Sequence, residues 1–265
     1  MIIDVIGEKK MSKEKIIAVM KRYELKYYLS EEQLSYFLER INQYMKVDKY
    51  GLTTIASLYF DTPDFRLINK SIEKPKYKEK LRLRSYGLAK KSSPTFLEIK
   101  RKSDGIVYKR RTSLLEDEAY ELIKTKESKD SEQISRELEA FVENYQNLEP
   151  KYLIIYDRLA YYQDNSDLRI TIDKNPRYRT KDLNLHTSME GIPLLKEGGA
   201  ILEVKVQHSV PLWLVHILSE GKIYKSSFSK VGEAHKREML ANQQHKIEFT
   251  KIIEQVKGEN YGFTI

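Results

Sequence analysis

Three stretches of this chain repeat one spacing that matters chemically: Glu24-Leu25-Lys26, Glu98-Ile99-Lys100 and Glu203-Val204-Lys205. Read as strands, each puts a carboxylate and an ammonium on one face and an aliphatic side chain on the other. Lys80-Leu81-Arg82-Leu83-Arg84 is a wholly basic version of the pattern, and Lys109 with Arg111 continues it. Like charges so close repel unless an anion neutralises them. Arginine forks take phosphate oxygens bidentately, and lysines supply point charge. Sparse glutamates among such cations are poor phosphate ligands but good oxygen ligands for Mg²⁺ or Mn²⁺. A ligand with several phosphates plus a divalent cation fits both residue types. That equipment serves phosphoryl transfer, which depends on positioning and on neutralising developing charge.

A solvated antiparallel sheet also alternates polar and apolar residues. Such a face has no reason to be so uniformly basic, with its few acids placed alike on separate strands. Arg158 and Arg169, which face the same way as Tyr156 and Asp173 on two more strands, extend the basic surface. Other catalytic constellations are absent: no P-loop, no dinucleotide fingerprint, no His-Glu-x-x-His and no Gly-x-Ser-x-Gly. The five histidines show no ligand spacing. With no cysteine, the chain has no disulfides, no thiolate metal site and no thiol nucleophile.

The elements that must carry these residues are legible in outline. Strands are predicted at 22–29, 55–60, 77–86, 95–101, 106–113, 152–162, 168–173 and 200–207. Ser30-Glu-Glu-Gln33 is an N-cap signal opening a helix through Leu34, Phe37, Leu38, Ile41 and Met45. Asp61-Thr-Pro-Asp64 is turn chemistry. Residues 116–147 are expected as two helical pieces, 211–218 as a helix starting on Pro211, and 229–240 and 243–257 as two more. A polar excursion over 176–199 is expected as a loop over one rim. About eight largely antiparallel strands, with helices to cover their aliphatic faces, point to an α+β chain containing a closed eight-stranded barrel with a charged lumen.

In 265 residues the chain carries 47 Lys and Arg against 39 Asp and Glu, a net charge of +8, which favours anionic partners. No apolar run approaches the roughly 20 residues that span a bilayer. Met1–Gly7 does not have the form of a signal peptide, so a cytoplasmic protein is the expectation.

Taken in order, Arg22–Leu29, Ser57-Leu-Tyr-Phe-Asp-Thr62, Lys80–Arg84, Phe96–Lys100, Tyr156-Asp-Arg158, Leu168–Asp173, Ile201–Val206 and Ser227–Lys230 resemble the VTC domain. This is the polyphosphate polymerase branch of the triphosphate tunnel metalloenzymes, a CYTH-like superfamily. The resemblance runs from about residue 20 to 240. It implies a basic tunnel in which the terminal phosphate of ATP is moved onto a growing polyphosphate chain, with manganese or magnesium bound. Carried over by position, Lys26, Arg82, Arg84, Lys100, Arg158, Arg169 and Lys230 match phosphate-binding catalytic positions. Tyr59, Lys80, Lys109, Arg111 and Lys205 are further substrate-binding candidates. Glu203 matches the metal-binding glutamate of the last strand, and Glu24 and Glu98 match tunnel acids that are candidate ligands. The first strand departs from the wider superfamily, which often has two glutamates before the lysine: Arg22 stands at the earlier position here. That favours the polymerase branch.

The implied domains are a lead-in at 1–20, a tunnel domain at 21–242 and a helical tail at 243–265. The implied partners are ATP and polyphosphate or triphosphate. The rival functions are an inorganic or nucleoside triphosphatase on the same site, and a polyphosphate or nucleic-acid binding module without turnover. Nucleic acid would require basic residues on an open surface with aromatic stacking partners.

Overall fold

The computed structural model describes residues 23–260 except 74, 105 and 131, with side chains described as far as 250 except 249. The lead-in expected over 1–20 and Arg22 lie outside the described residues. The chain begins β1 (Tyr23–Leu29), α1 (Glu31–Ile41), β2 (Lys46–Val47), β3 (Thr53–Asp61) and α2 (Arg66–Ile72). A meander of β4 (Tyr77–Tyr86), β5 (Thr95–Ser103) and β6 (Ile106–Leu114) follows, then α3 (Glu116–Thr125) and α4 (Gln133–Asn144). The second half holds β7 (Glu149–Tyr162), β8 (Arg169–Arg179), β9 (Ile192–Pro193) and β10 (Ala200–Val206). It closes with α5 (Leu212–Glu220), β11 (Lys225–Ser226) and α6 (Lys230–Asn260).

Local chemistry sets several of these boundaries. At Ser30 a capping box forms: Ser30 Oγ accepts from the Gln33 amide at 3.3 Å, and Gln33 Oε1 accepts from the Ser30 amide at 3.1 Å. At the end of β3 the buried Asp61 carboxylate accepts the amides of Thr62, Leu67 and Ile68, each at 2.8 Å. Thr62 Oγ1 accepts the Arg66 amide at 3.0 Å, so two adjacent side chains close the turn and satisfy the first turn of α2.

All the strands join one antiparallel sheet in the order β11-β1-β10-β8-β7-β3-β4-β5-β6, with β2 paired to β7 and β9 to β8. The outward aliphatic faces are covered by helices. Leu58, Leu83 and Leu97 pack with Ala119, Leu122 and Phe141 of α3 and α4. Ile172, Val204 and Leu29 pack with Phe37 and Leu214 of α1 and α5. On the inner face, α2 and the start of α6 bring Ile68, Val231 and Ala234 against Tyr59, Tyr152, Ile154 and Tyr156. This apolar plug fills part of the concavity.

The sheet curls steeply. Lys100 of β5 lies 3.4 Å from Glu24 of β1, although β10, β8, β7, β3 and β4 separate those strands in the hydrogen-bonded order. The expected closed barrel is nevertheless not what forms. The eight expected long strands are present, but among the described residues β6 and β11 end the order without pairing to each other. The physical reason lies at β1. β11 occupies its free edge through Lys26↔Ser226 and Tyr27↔Lys225, so those edge groups are unavailable to β6. Side chains, rather than a backbone ladder, bridge the walls. Two further expectations change: 176–199 is partly strand, since β8 runs on to Arg179 and pairs with β9, and the helices expected at 229–240 and 243–257 are the single α6.

Candidate functional site

Strand parity places the charged residues on the inner face. The alternation that sends Leu81, Leu83, Leu97, Ile99, Leu202 and Val204 into the outer cores turns Lys80, Arg82, Arg84, Glu98, Lys100, Glu203 and Lys205 inward. Pairing then sets them side by side: Lys80↔Lys100, Arg82↔Glu98, Glu98↔Arg111, Lys100↔Lys109, Lys26↔Glu203 and Glu24↔Lys205.

Two anionic centres organise the cations. Glu203 lies 2.9 Å from Lys205, 3.1 Å from Lys26, 3.8 Å from Arg158 and 4.0 Å from Lys230. Beside it the fully buried Asp173 accepts both arms of the Arg158 guanidinium, at 2.6 and 2.8 Å, and pairs with Lys230. The second centre is Glu98, with Arg82 at 2.7 Å, Lys109 at 2.6 Å, Arg84 at 3.9 Å and Arg111 at 4.0 Å. Glu24 links the walls through Lys26 at 3.3 Å and Lys100 at 3.4 Å. Hydroxyl groups complete the lining. Arg82 donates to Tyr59 Oη at 3.1 Å, Arg84 donates to Ser57 Oγ and Tyr156 Oη at 3.2 Å, and Lys80 donates to Ser229 Oγ at 3.1 Å.

The electrostatics show a surface with too few anions. Burial opposes ionisation of Glu203, yet Lys205, Lys26, Lys230 and Arg158 hold its carboxyl well below the usual range. Burial would also raise Glu24, but Lys100 and Lys26 bring it to about 2. Glu98 is likewise held at about 2 against burial by Arg82, Arg84 and Lys109. Three lysines are lowered too, whereas Glu203 and Glu24 raise Lys26 against its burial. Burial pulls Lys80 down to about 8, and Lys100 and Lys26 nearby add to the effect. Lys109 falls to about 8 through burial in spite of Glu98, and burial lowers Lys100 too. The Tyr59 phenol is pushed up by burial, but Arg82, Lys80 and Arg84 outweigh that and bring it to about 7. Burial is the first cause of the lysine shifts, while the cations around Tyr59 draw its phenol toward phenolate.

Of the residues singled out from sequence, Lys26, Lys80, Arg82, Arg84, Lys100, Lys109, Arg111, Arg158, Lys205, Lys230, Tyr59, Glu24, Glu98 and Glu203 belong to this inner surface. Arg169 does not join it. It is exposed, donates to the carbonyls of Ser166 and Leu168 at 2.9 and 2.8 Å, and lies over the Tyr162 ring. Parity is right for Arg169, but it sits at the strand end, where its own loop captures the guanidinium. Asp173, Ser57, Tyr156 and Ser229 stand inside the matching motifs but are not among the site residues singled out from sequence. Parity with Arg158 was a usable signal for Asp173, whereas the contact of Ser229 with Lys80 spans 149 residues and left no local mark.

The carboxylates also test a divalent cation. Among the described residues no three His, Cys, Asp or Glu groups converge to form a metal cage. Glu24 and Glu203 do share Lys26 and feel each other's charge. Two carboxylates completed by phosphate oxygens and water are a donor set that suits Mg²⁺ or Mn²⁺. Glu98 shares none of its cationic partners with Glu203 and stands apart from that pair.

No curated protein matches the chain in sequence. Among solved structures the fold is similar to a putative adenylate cyclase from Bacillus halodurans, with 15% identity and a TM-score of 0.50 over 79% of this chain and 96% of that one. A putative adenylyl cyclase from Hippeastrum, described as having a dominant triphosphatase activity, aligns over 79% of this chain and 93% of its own at 16% identity and a TM-score of 0.48. A putative adenylate cyclase from Vibrio parahaemolyticus aligns over 82% and 98% at 13% identity and 0.45. The sequence itself matches the VTC domain over residues 21–237, which spans every strand and the charged inner face. With the match covering most of its length, the chain belongs to the VTC domain family.

Proposed function

We propose that the protein is a metal-dependent polyphosphate polymerase that transfers the γ-phosphate of ATP to the end of a polyphosphate chain. One observation carries this reading: among the described residues of the inner face cations outnumber carboxylates, and half-buried Lys80 hydrogen-bonds to neutral Ser229. A polyanion entering the concavity would supply the missing negative charge. Arg82, Arg84 and Arg158 hold the phosphates of donor and acceptor, and Lys26, Lys80, Lys100, Lys205 and Lys230 neutralise them. A terminal oxygen of the acceptor chain attacks the γ-phosphorus in line, the bond to the β–γ bridging oxygen breaks, and ADP leaves. No protein nucleophile takes part. The contribution of the chain is alignment and a fixed positive field where negative charge spreads in the transition state. Glu24 and Glu203 would hold Mg²⁺ or Mn²⁺, which supplies charge neutralisation at the phosphate oxygens.

The test is incubation with ATP and Mn²⁺ or Mg²⁺, followed by analysis of the products. A ladder of long phosphate chains with stoichiometric ADP is expected. Orthophosphate without chain growth would instead identify a hydrolase on the same surface. Tight triphosphate binding with no turnover under either metal would identify a binder.

A further inference from the structure

The outer face of the same meander carries a second group of charges. Tyr77↔Ser103, Glu79↔Arg101, Arg101↔Tyr108 and Ile99↔Arg110 pair across β4, β5 and β6, one residue out of step with the inward lysines. Tyr77, Arg101, Ser103, Tyr108 and Arg110, with Glu137 of α4, line a cleft of about 300 Å³ on the back of the sheet, at the small end of the range for ligand sites. The buried Glu79 anchors two of these side chains: it accepts from Arg101 Nε at 3.0 Å and from the hydroxyls of Tyr77 and Tyr145 at 2.7 and 2.6 Å. Arg110 Nε donates to both oxygens of Glu137, at 3.2 and 3.3 Å, and Arg101 Nη1 lies 3.8 Å from the same carboxylate. Each guanidinium is thus held from its Nε side, and its terminal nitrogens donate no hydrogen bond among the described residues. The hydroxyls of Ser103 and Tyr108 have no partner among the described residues either. Lys70, which makes no ion pair among the described residues, lies 5.6 Å from the centre of the Tyr77 ring. Arg101, Arg110 and Lys70 therefore border the cleft against Glu79 and Glu137.

We infer that this cleft is a second oxyanion site, for a small free anion of the phosphate class, on the opposite face of the sheet from the charged concavity. Two guanidinium edges opening on one cavity match the oxygens of a tetrahedral oxyanion, two hydroxyls add donors, and Lys70 supplies charge at the rim. Glu137 fixes the guanidiniums, and Arg110 neutralises it. A cluster that only braced α4 against β6 would need neither the cavity nor the unused guanidinium edges. β5 and β6 carry both surfaces, with Arg101 beside Lys100 and Arg110 between Lys109 and Arg111, so an anion held here steadies the strands that line the concavity. The inference stands independently of the reading of the inner face.

The test follows assigned amide resonances of the full chain during titration with inorganic phosphate. Ser103 and Tyr108 should shift saturably in the wild type. Arg110→Met combined with Glu137→Gln removes one cation and one anion, so the net charge is unchanged, and it should weaken that titration about tenfold. Should that variant lose its native spectrum, Arg101→Lys, which keeps the charge but removes the fork, gives the same reading. Arg82→Met, on the inner face, should leave the titration of Ser103 and Tyr108 within about twofold of wild type. The absence of a saturable shift at Ser103 and Tyr108 in the wild type would overturn the site. Equal titration of the wild type and the folded outer-face variants would overturn it too. So would loss of the titration in Arg82→Met, which would place the anion on the inner face.

Discussion

Glu203 and Lys80 define the residue scale, one as the anion that holds the cations together and the other as a cation hydrogen-bonded to a serine. Glu203→Gln leaves Lys26, Lys205, Arg158 and Lys230 to repel one another at a site that is 7% exposed. The expected cost is about 3 kcal/mol or more in urea unfolding, with phosphotransfer abolished and part of the stability restored by added triphosphate. Lys80 and Lys109 predict a pH dependence with a definite sign. Each is depressed from 10.5 to about 8 in the folded protein, so folding disfavours its charged form. That penalty is present below about pH 8 and is relieved as pH rises toward 10.5. A bound polyanion reverses the preference, so binding should take up protons near pH 8 to 9 and weaken above that window. Calorimetry of triphosphate binding in two buffers of different ionisation enthalpy checks the uptake, and Lys80→Met should reduce it. The carboxylates run oppositely. Glu24 and Glu98 are held at about 2, so their contribution is full above 4.5 and is lost as pH falls from 4.5 toward 2. These residues were visible from their types and parity. Their partners, above all Asp173 and Ser229, depended on which strands and turns the fold brings beside them.

At the scale of the element, the long strands and the capped helices stand close to where periodicity puts them, and α2 does not. Its apolar residues (Leu67, Ile68) follow a Pro-containing turn and carry no side-chain cap of their own. Phe65, at the helix entrance, has a positive φ of 58°. What starts α2 is Asp61, a carboxylate on the preceding strand whose role is invisible to a helical pattern. Asp61→Ala should leave three buried amides without an acceptor and cost about 2 kcal/mol or more in denaturant unfolding. Because α2 carries part of the inner plug against α6, the loss should also loosen the floor of the site, seen as faster amide exchange at Ile68 and Val231. The join of two expected helices into α6 has a simple reading: residues 240–243 contain no glycine or proline to stop the helix.

For the whole molecule, the charged faces count only because the sheet curls until β1 faces β5 across the concavity. Facing walls on which cations outnumber carboxylates make ligand binding sensitive to salt. Raising ionic strength from 0.1 to 1 M shrinks the screening length from about 10 to 3 Å, so triphosphate affinity should fall about tenfold or more in equilibrium titrations. Saturating triphosphate, at a hundred times its dissociation constant, should raise the melting temperature by about 5 °C or more. Among the described residues no helix is long and apolar enough to cross a membrane. Sequence by itself determined which side chains share a face, because side-chain alternation along a strand is a local property that needs no partner. It also determined that this face is basic with sparse acids, and the order of the motifs pointed to the family. Only the tertiary structure decided that the sheet stays open, since β11 competes for the edge of β1 through a pairing almost 200 residues apart in the chain. It also decided that Arg169 turns away while Asp173 turns in, and that Lys80 faces a serine where a carboxylate would have neutralised it. Those are matters of which walls meet, and register and curvature set them together.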